Sequence, residues 1–243
     1  LRPYFSRGMD LLNFLDGAFY SRTINSPSVS SKVTLQDKNS SSIILSAVDQ
    51  QSPYLIGGED KSYIDNYYDC FGSLSCRPSH ISFFSRTPRL NDLFNKADII
   101  YVGGGNTKSM LAVWREWKVD KLLHRAYEKG VVLSGVSAGA ICWFRQGITD
   151  SWASNLNTID CLGFLEGMCC PHYMEEPDRQ PTVHQLIQDG KSMNGYGVDG
   201  GSAVHFINEK FVRAISFYPD HKSFFIEKDV NRIIEKDLPH IVV

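Results

Sequence analysis

The sequence predicts an α/β fold built on a parallel sheet covered by helices on both faces. Three observations lead there. From position 43 onward, short apolar runs alternate with longer amphipathic stretches, the rhythm of strand–helix–strand units. Two of those runs end in glycine clusters that open straight into helical pattern: Gly103-Gly104-Gly105-Asn106-Thr107 and Gly135-Val136-Ser137-Ala138-Gly139. With 243 residues, 42% hydrophobic and 21% charged, the chain also has the size and composition of a globular protein with a substantial core. No internal repeat or linker divides it, so residues 1–243 are read as a single domain. Residues 1–40 form an N-terminal extension, a remodelled edge or a dimer contact, and the pattern does not choose among these.

Taken in order, residues 9–20 carry Leu11, Leu12, Phe14, Leu15 and Phe19 and read as an amphipathic helix. Residues 26–31 and 39–42 are serine-rich and read as loops. Ile43-Ile44-Leu45 is a buried strand, 61–70 a helix, Ile81-Ser82-Phe83-Phe84 a strand, and 90–96 a helix closing on Ala97. Residues 98–102 run as a strand into the first glycine cluster. Residues 108–117 are helical, with Met110, Leu111 and Trp114 at core spacing. The helical pattern continues over 120–129, and Gly130 ends it. Val131-Val132-Leu133 is a strand buried on both faces, and a helix opens after it with Ala138, Ala140, Ile141 and Trp143. A helix over 181–189 and short strands at Val198, 203–206, 212–215 and 224–226 complete the pattern.

The totals exclude several classes. A net charge of −2 gives no general attraction to nucleic acid or to an anionic membrane. No apolar run approaches the ~18 residues of a membrane span. The start, Leu1-Arg2-Pro3-Tyr4-Phe5, lacks the basic and apolar regions of a signal peptide. The cysteines (Cys70, Cys76, Cys142, Cys161, Cys169 and Cys170) make no C-x-x-C pair, which points to reduced thiols in a cytoplasmic protein rather than to disulfides or a metal site. The P-loop pattern is absent and no G-x-G-x-x-G spacing is present, which excludes a P-loop and leaves a dinucleotide reading weak.

The second glycine cluster fits Gly-x-Ser-x-Gly between a strand and a helix, the setting of a nucleophile elbow. There Ser137 stands on a tight turn whose neighbours at minus two and plus two must lack bulk, and the N–H of Ala138 is free to face an oxyanion. The competing reading is a tight turn without chemistry. A serine nucleophile needs a base. Of the seven histidines, His124 and His184 sit at surface-like helical spacing and His205 alternates inside a strand. His172, in Cys170-Pro171-His172-Tyr173, lies in an irregular segment where an imidazole can reach the sheet's carboxyl edge, and it is weighed against all the others. The first glycine cluster either supplies a second oxyanion N–H, from Gly105 or Asn106, or is simply a glycine-rich turn.

Together, Gly-Gly-Gly-Asn-Thr after a strand, Gly-Val-Ser-Ala-Gly-Ala further on and then Pro-His-Tyr resemble the peptidase E family of aspartyl dipeptidases and cyanophycinase relatives. The resemblance covers about residues 43–217. It implies a three-layer sandwich with a mostly parallel central sheet, similar to class I glutamine amidotransferases (flavodoxin-like). It also implies Ser137 as nucleophile, His172 as base, and the Gly105 and Ala138 amides as the oxyanion hole; Asn106 is counted among the candidate substrate-binding residues. For the acid that orients the base it offers Asp150, in Gly147-Ile148-Thr149-Asp150-Ser151. A second acidic position of the family falls here on Gly200, with Asp199 one residue earlier, so Asp199 is the other candidate.

The same resemblance places Arg179 near the arginine that pairs with a substrate aspartate, a task suited to a planar guanidinium. Glu175, Glu176 and Asp178 nearby either neutralise Arg179 or hold a dipeptide's amino group. The implied function is a serine peptidase of short peptides, dipeptides with N-terminal aspartate foremost, with no metal or organic cofactor and a homodimer as one possible assembly. The alternatives are a catalytically silent binding protein and a hydrolase of isopeptide-linked Asp-containing peptides. A glutamine-amidotransferase-like subunit is disfavoured, because serine holds the elbow and Cys142 lies too far along the helix.

Overall fold

A computed structural model describes residues 17–21, 41–45, 61–72, 76–83, 86–87, 89–152 and 155–242. In chain order the elements are β1 (Gly17–Ser21), β2 (Ser41–Leu45), α1 (Lys61–Gly72), β3 (Arg77–Ile81), α2 (Leu90–Phe94), β4 (Ile99–Val102), α3 (Thr107–Trp117), α4 (Val119–Glu128) and β5 (Val132–Gly135). They continue as α5 (Ala138–Ile141), β6 (Phe144–Thr149), β7 (Asn157–Asp160), β8 (Leu165–Pro171), α6 (Arg179–Gln188), β9 (Gly195–Val198), β10 (Ser202–Ile207), β11 (Lys210–Ser216), β12 (Ser223–Asp229), β13 (Arg232–Asp237) and β14 (His240–Val242). No described helix is long and apolar enough to cross a membrane.

Among the described residues the architecture is mixed α/β with two sheets rather than one. An eight-stranded sheet runs β14-β11-β10-β1-β5-β4-β2-β3, and a six-stranded sheet runs β13-β12-β9-β8-β6-β7. In the larger sheet, β5, β4, β2 and β3 form a parallel run, while β1 meets β5 and β10 meets β11 antiparallel. The smaller sheet is mixed: β8 lies parallel to both β6 and β9, and the pairs β6–β7, β9–β12 and β12–β13 are antiparallel.

Local pattern explains the helices. Val119, Leu122, Leu123 and Ala126 put one buried stripe on α4, and Met110, Leu111 and Trp114 do the same on α3. These are two helices rather than one continuous pattern, because Lys118 takes a left-handed conformation (φ 60°) between them. Gly130 follows α4 at φ 88°, a conformation that glycine adopts without a Cβ penalty. One core cluster joins the two sheets. It contains Ile100, Val102, Leu133 and Phe206 from the larger sheet and Phe144, Leu165, Cys169 and Val198 from the smaller, with Ala138, Ala140 and Trp143 between them.

Several expected boundaries move. Residues 17–20, expected at the end of a helix, belong to strand β1, where pairing with β5 and β10 overrides the helical spacing; residues 9–16 lie outside the described residues, as does the loop expected at 26–31. Ser41 and Ser42 begin β2 instead of ending a loop, since β3 and β4 flank them. The strand expected at 81–84 is β3, ending at Ile81. It is the edge of its sheet, which is why it tolerates Pro78. The helix after Gly135 stops at Ile141, and the chain turns at once into β6.

Candidate active site

β5 ends in Gly135, and after Val136 the chain places Ser137 at φ 52°, ψ −114°, immediately before α5. The flanking glycines are required by packing. A Cβ on Gly135 would overlap the Gly139 carbonyl, and a Cβ on Gly139 would overlap the Val102 carbonyl. Val136 N–H donates to that same Val102 oxygen at 3.0 Å, which presses the turn against the end of β4. The chain leaving β4 is the first glycine cluster. A Cβ on Gly104 would stand 3.4 Å from Ser137 Cβ, so this loop lies directly beside the serine. Gly105, at φ 136°, adopts a conformation that a side chain would strain.

His172 follows the last residue of β8. Its Nε2 is 3.2 Å from Ser137 Oγ, and its Nδ1 is 3.1 Å from Glu175 Oε2. The sequence points to Asp150 or Asp199 for the acid on this imidazole, but the structure places both elsewhere. Asp150, at the end of β6, faces Arg179 Nη2 at 3.8 Å. Asp199 is buried and accepts the backbone N–H groups of Met174 (2.9 Å) and Lys222 (3.2 Å). Burial raises the Asp199 carboxyl above its ordinary value even though those two bonds oppose the shift. Asp199 therefore clamps the loop that carries His172 and Glu175. Sequence reasoning did not give Glu175 this place; the signals were its three-residue spacing from His172 and the bare Gly200, whose Cβ would overlap the Glu175 carboxylate.

Arg179 opens α6 and lies beneath the cleft with its side chain 5% exposed. Its Nε donates to Glu176 Oε2 at 2.7 Å. Burial works against the guanidinium charge, but Glu176 and the neighbouring Cys170 hold its pKa above the ordinary value. Burial also pushes the Cys170 thiol up to about 12, with Arg179 pulling the other way. Asn106, expected beside the substrate, spends its side chain on local structure. Its Oδ1 caps α3 by accepting Ser109 N–H at 2.9 Å, and its Nδ2 donates to the Ser151 carbonyl at 2.6 Å. That bond, with Thr107 N–H to Ser151 Oγ at 3.0 Å, fixes the segment bearing Asp150.

Ser137, His172, Gly104, Gly105, Asp150, Glu176 and Arg179 share one open cleft of about 290 Å³, with Tyr63, Val136, Thr149 and Pro171 on its walls. Tyr63 helps to hold the glycine loop, its hydroxyl accepting Gly104 N–H at 3.3 Å. The cleft thus combines a hydroxyl on an imidazole with a guanidinium flanked by carboxylates. Cys142 plays no part in it: it is fully buried at the end of α5, and burial holds its thiol well above the usual range. Among the described residues no cluster of His, Cys, Asp and Glu is suited to a metal ion.

The chain has relatives among known proteins. The model of peptidase family S51 matches residues 37–214. A Bacillus subtilis protein carried as uncharacterized peptidase YgaJ is 44% identical over 185 residues, 75% of this chain and 79% of its own length. A Listeria innocua protein, uncharacterized peptidase Lin0382, is 26% identical over 127 residues, 50% of this chain and 61% of its own. Among solved structures, a peptidase from an acI-B1 actinobacterium superposes with a TM-score of 0.55 at 15% identity, covering 79% of this chain and 80% of that one, a likeness of fold.

Proposed function

The chain belongs to peptidase family S51, and from that premise we propose that it is a serine peptidase of short peptides that prefers dipeptides with an N-terminal aspartate. The observation that carries this reading is the 3.2 Å approach of His172 Nε2 to Ser137 Oγ, on a turn whose flanking glycines have no room for a Cβ. The parallel run of β5, β4, β2 and β3 behind that turn supports a class I glutamine amidotransferase-like sandwich with a nucleophile elbow.

His172, with Nε2 unprotonated, takes the proton from Ser137 as Oγ attacks the peptide carbonyl. The N–H groups of Ala138 and Gly105 face the developing oxyanion, where donors already in place cost no reorganisation. His172 then passes the proton to the leaving amine. Water attacks the acyl-enzyme with His172 again as base. The charges of the cleft suit an N-terminal aspartate. Arg179 offers its guanidinium to the side-chain carboxylate, and Asp150 and Glu176 offer acceptors to the α-ammonium.

The test is hydrolysis of Asp-Leu, Glu-Leu, Asn-Leu and Ala-Leu, together with labelling by a fluorophosphonate, for the wild type and Ser137→Ala. The expected result is cleavage led by Asp-Leu and rapid labelling, both lost in the variant. A wild type that neither cleaves nor labels would sink the proposal and leave a silent binding protein in its place.

A further inference from the structure

We propose that Glu175 is the positioning residue for the His172 imidazole, and that it acts there because Gly200 leaves the space its carboxylate occupies. This rests on the Ser137–His172 reading above. With Nδ1–H donating to Glu175 Oε2 at 3.1 Å, the Nε2 lone pair is directed at Ser137 Oγ, which is the tautomer a general base needs.

The seat of the carboxylate is specific. A Cβ on Gly200 would overlap both Glu175 carboxylate oxygens, or nearly so, and no other residue stands as near to that position. Gly200 is not among the glycines held at positive φ, so the backbone there does not demand glycine. What glycine supplies is room. The turn that returns Glu175 to the imidazole is pinned by its backbone: Tyr173 N–H donates to Val198 O at 3.2 Å, Met174 N–H to Asp199 Oδ1 at 2.9 Å, and Glu176 N–H to His172 O at 3.2 Å. The neighbouring acid has a separate duty, since Glu176 takes Arg179. The Glu175 side chain is 40% exposed, so water partly replaces it when it is removed. The loss then falls short of the roughly 10⁴-fold seen for a buried triad acid.

The experiment compares wild type, Ser137→Ala, Glu175→Ala, Glu175→Gln and Gly200→Ala for fluorophosphonate labelling rate and for kcat and KM on the best dipeptide. Gly200→Ala leaves both His172 and Glu175 in the chain and displaces only the flexible end of the glutamate. Expected is a fall in kcat of about 10- to 100-fold in Glu175→Ala and in Gly200→Ala, with KM within about threefold. Glu175→Gln falls between these and the wild type. Added formate restores part of the rate in Glu175→Ala, because a small carboxylate fits the vacated seat over Gly200. Wild-type kcat in Glu175→Ala and Gly200→Ala, beside a dead Ser137→Ala, would overturn this inference alone. So would a loss in Glu175→Ala that formate does not relieve and Gly200→Ala does not reproduce. Full labelling and turnover in Ser137→Ala would overturn this inference together with the reading it rests on.

Discussion

Arg179 Nε donates to Glu176 Oε2 at 2.7 Å, yet the guanidinium still lines the cleft, with Nη2 3.8 Å from Asp150 Oδ1. The cation that would receive a substrate carboxylate is thus partly answered within the chain. Glu176→Gln is expected to raise the Asp-Leu to Ala-Leu ratio of kcat/KM about three- to tenfold, because one competing charge is gone. Arg179→Met is expected to lower it by about 10- to 100-fold, the worth of a charge-assisted bond. Ratios that stay at the wild-type value in both variants would mean that Arg179 does not meet the substrate's side chain.

The conformation of Ser137 carries a stability cost. A non-glycine residue at φ 52°, ψ −114° is strained by about 1–3 kcal/mol. Ser137→Gly relieves that strain but adds freedom to the unfolded chain. The net expectation is a stabilisation of about 0.5–1 kcal/mol in urea unfolding, with fluorophosphonate labelling abolished. A destabilised Ser137→Gly would show that the strain at the turn is smaller than the roughly 0.5–1 kcal/mol that glycine adds to the freedom of the unfolded chain.

Gly139→Ala probes packing rather than chemistry. Its Cβ would overlap the Val102 carbonyl, which belongs to backbone in the centre of the larger sheet and cannot swing away as a side chain would. A loss of about 3 kcal/mol or more, or failure to fold, is expected. A variant that melts with the wild type would contradict the described turn.

Alkaline pH tests the buried thiol beside Arg179. The Cys170 pKa is raised from an ordinary 9.0 to about 12. A raised folded-state value stabilises the fold fully below pH ~9, and that contribution is lost as pH rises toward ~12. Cys170→Ser removes this titration. Its unfolding free energy should fall less steeply over that window, by up to about 1.4 kcal/mol per pH unit. Parallel curves for the two proteins would refute the shift.

How much of this was legible in the sequence follows how local each cause is. The helices α3 and α4, strand β4 and the turn at Ser137 declare themselves because apolar spacing and glycines act within a few residues. Ser137 and His172 can be named from motif, and the structure does bring them together. The acid on His172 could not be named. Glu175 holds that place only because Gly200, at the distant junction of β9 and β10, carries no side chain, and because Asp199 is spent on backbone amides. Strands β6 and β8 were hidden for another reason. Phe144-Arg145-Gln146-Gly147 and Leu165-Glu166-Gly167 mix polar residues and glycine into short runs, and their pairing is irregular near Phe144. Tertiary pairing makes them strands.

The serine and its imidazole come from different sheets, Ser137 from the end of β5 and His172 from the end of β8. No strand register fixes their separation. Between the sheets lies the shared core cluster, Trp143 and the alanines of α5 among its members. If Ser137 and His172 act as proposed, turnover is therefore a gauge of how the two layers are aligned. On the proposed mechanism a misplacement of about 1 Å between the two layers lowers the rate by about 100-fold, so screens that rank variants by thermal stability alone would pass variants that have lost it.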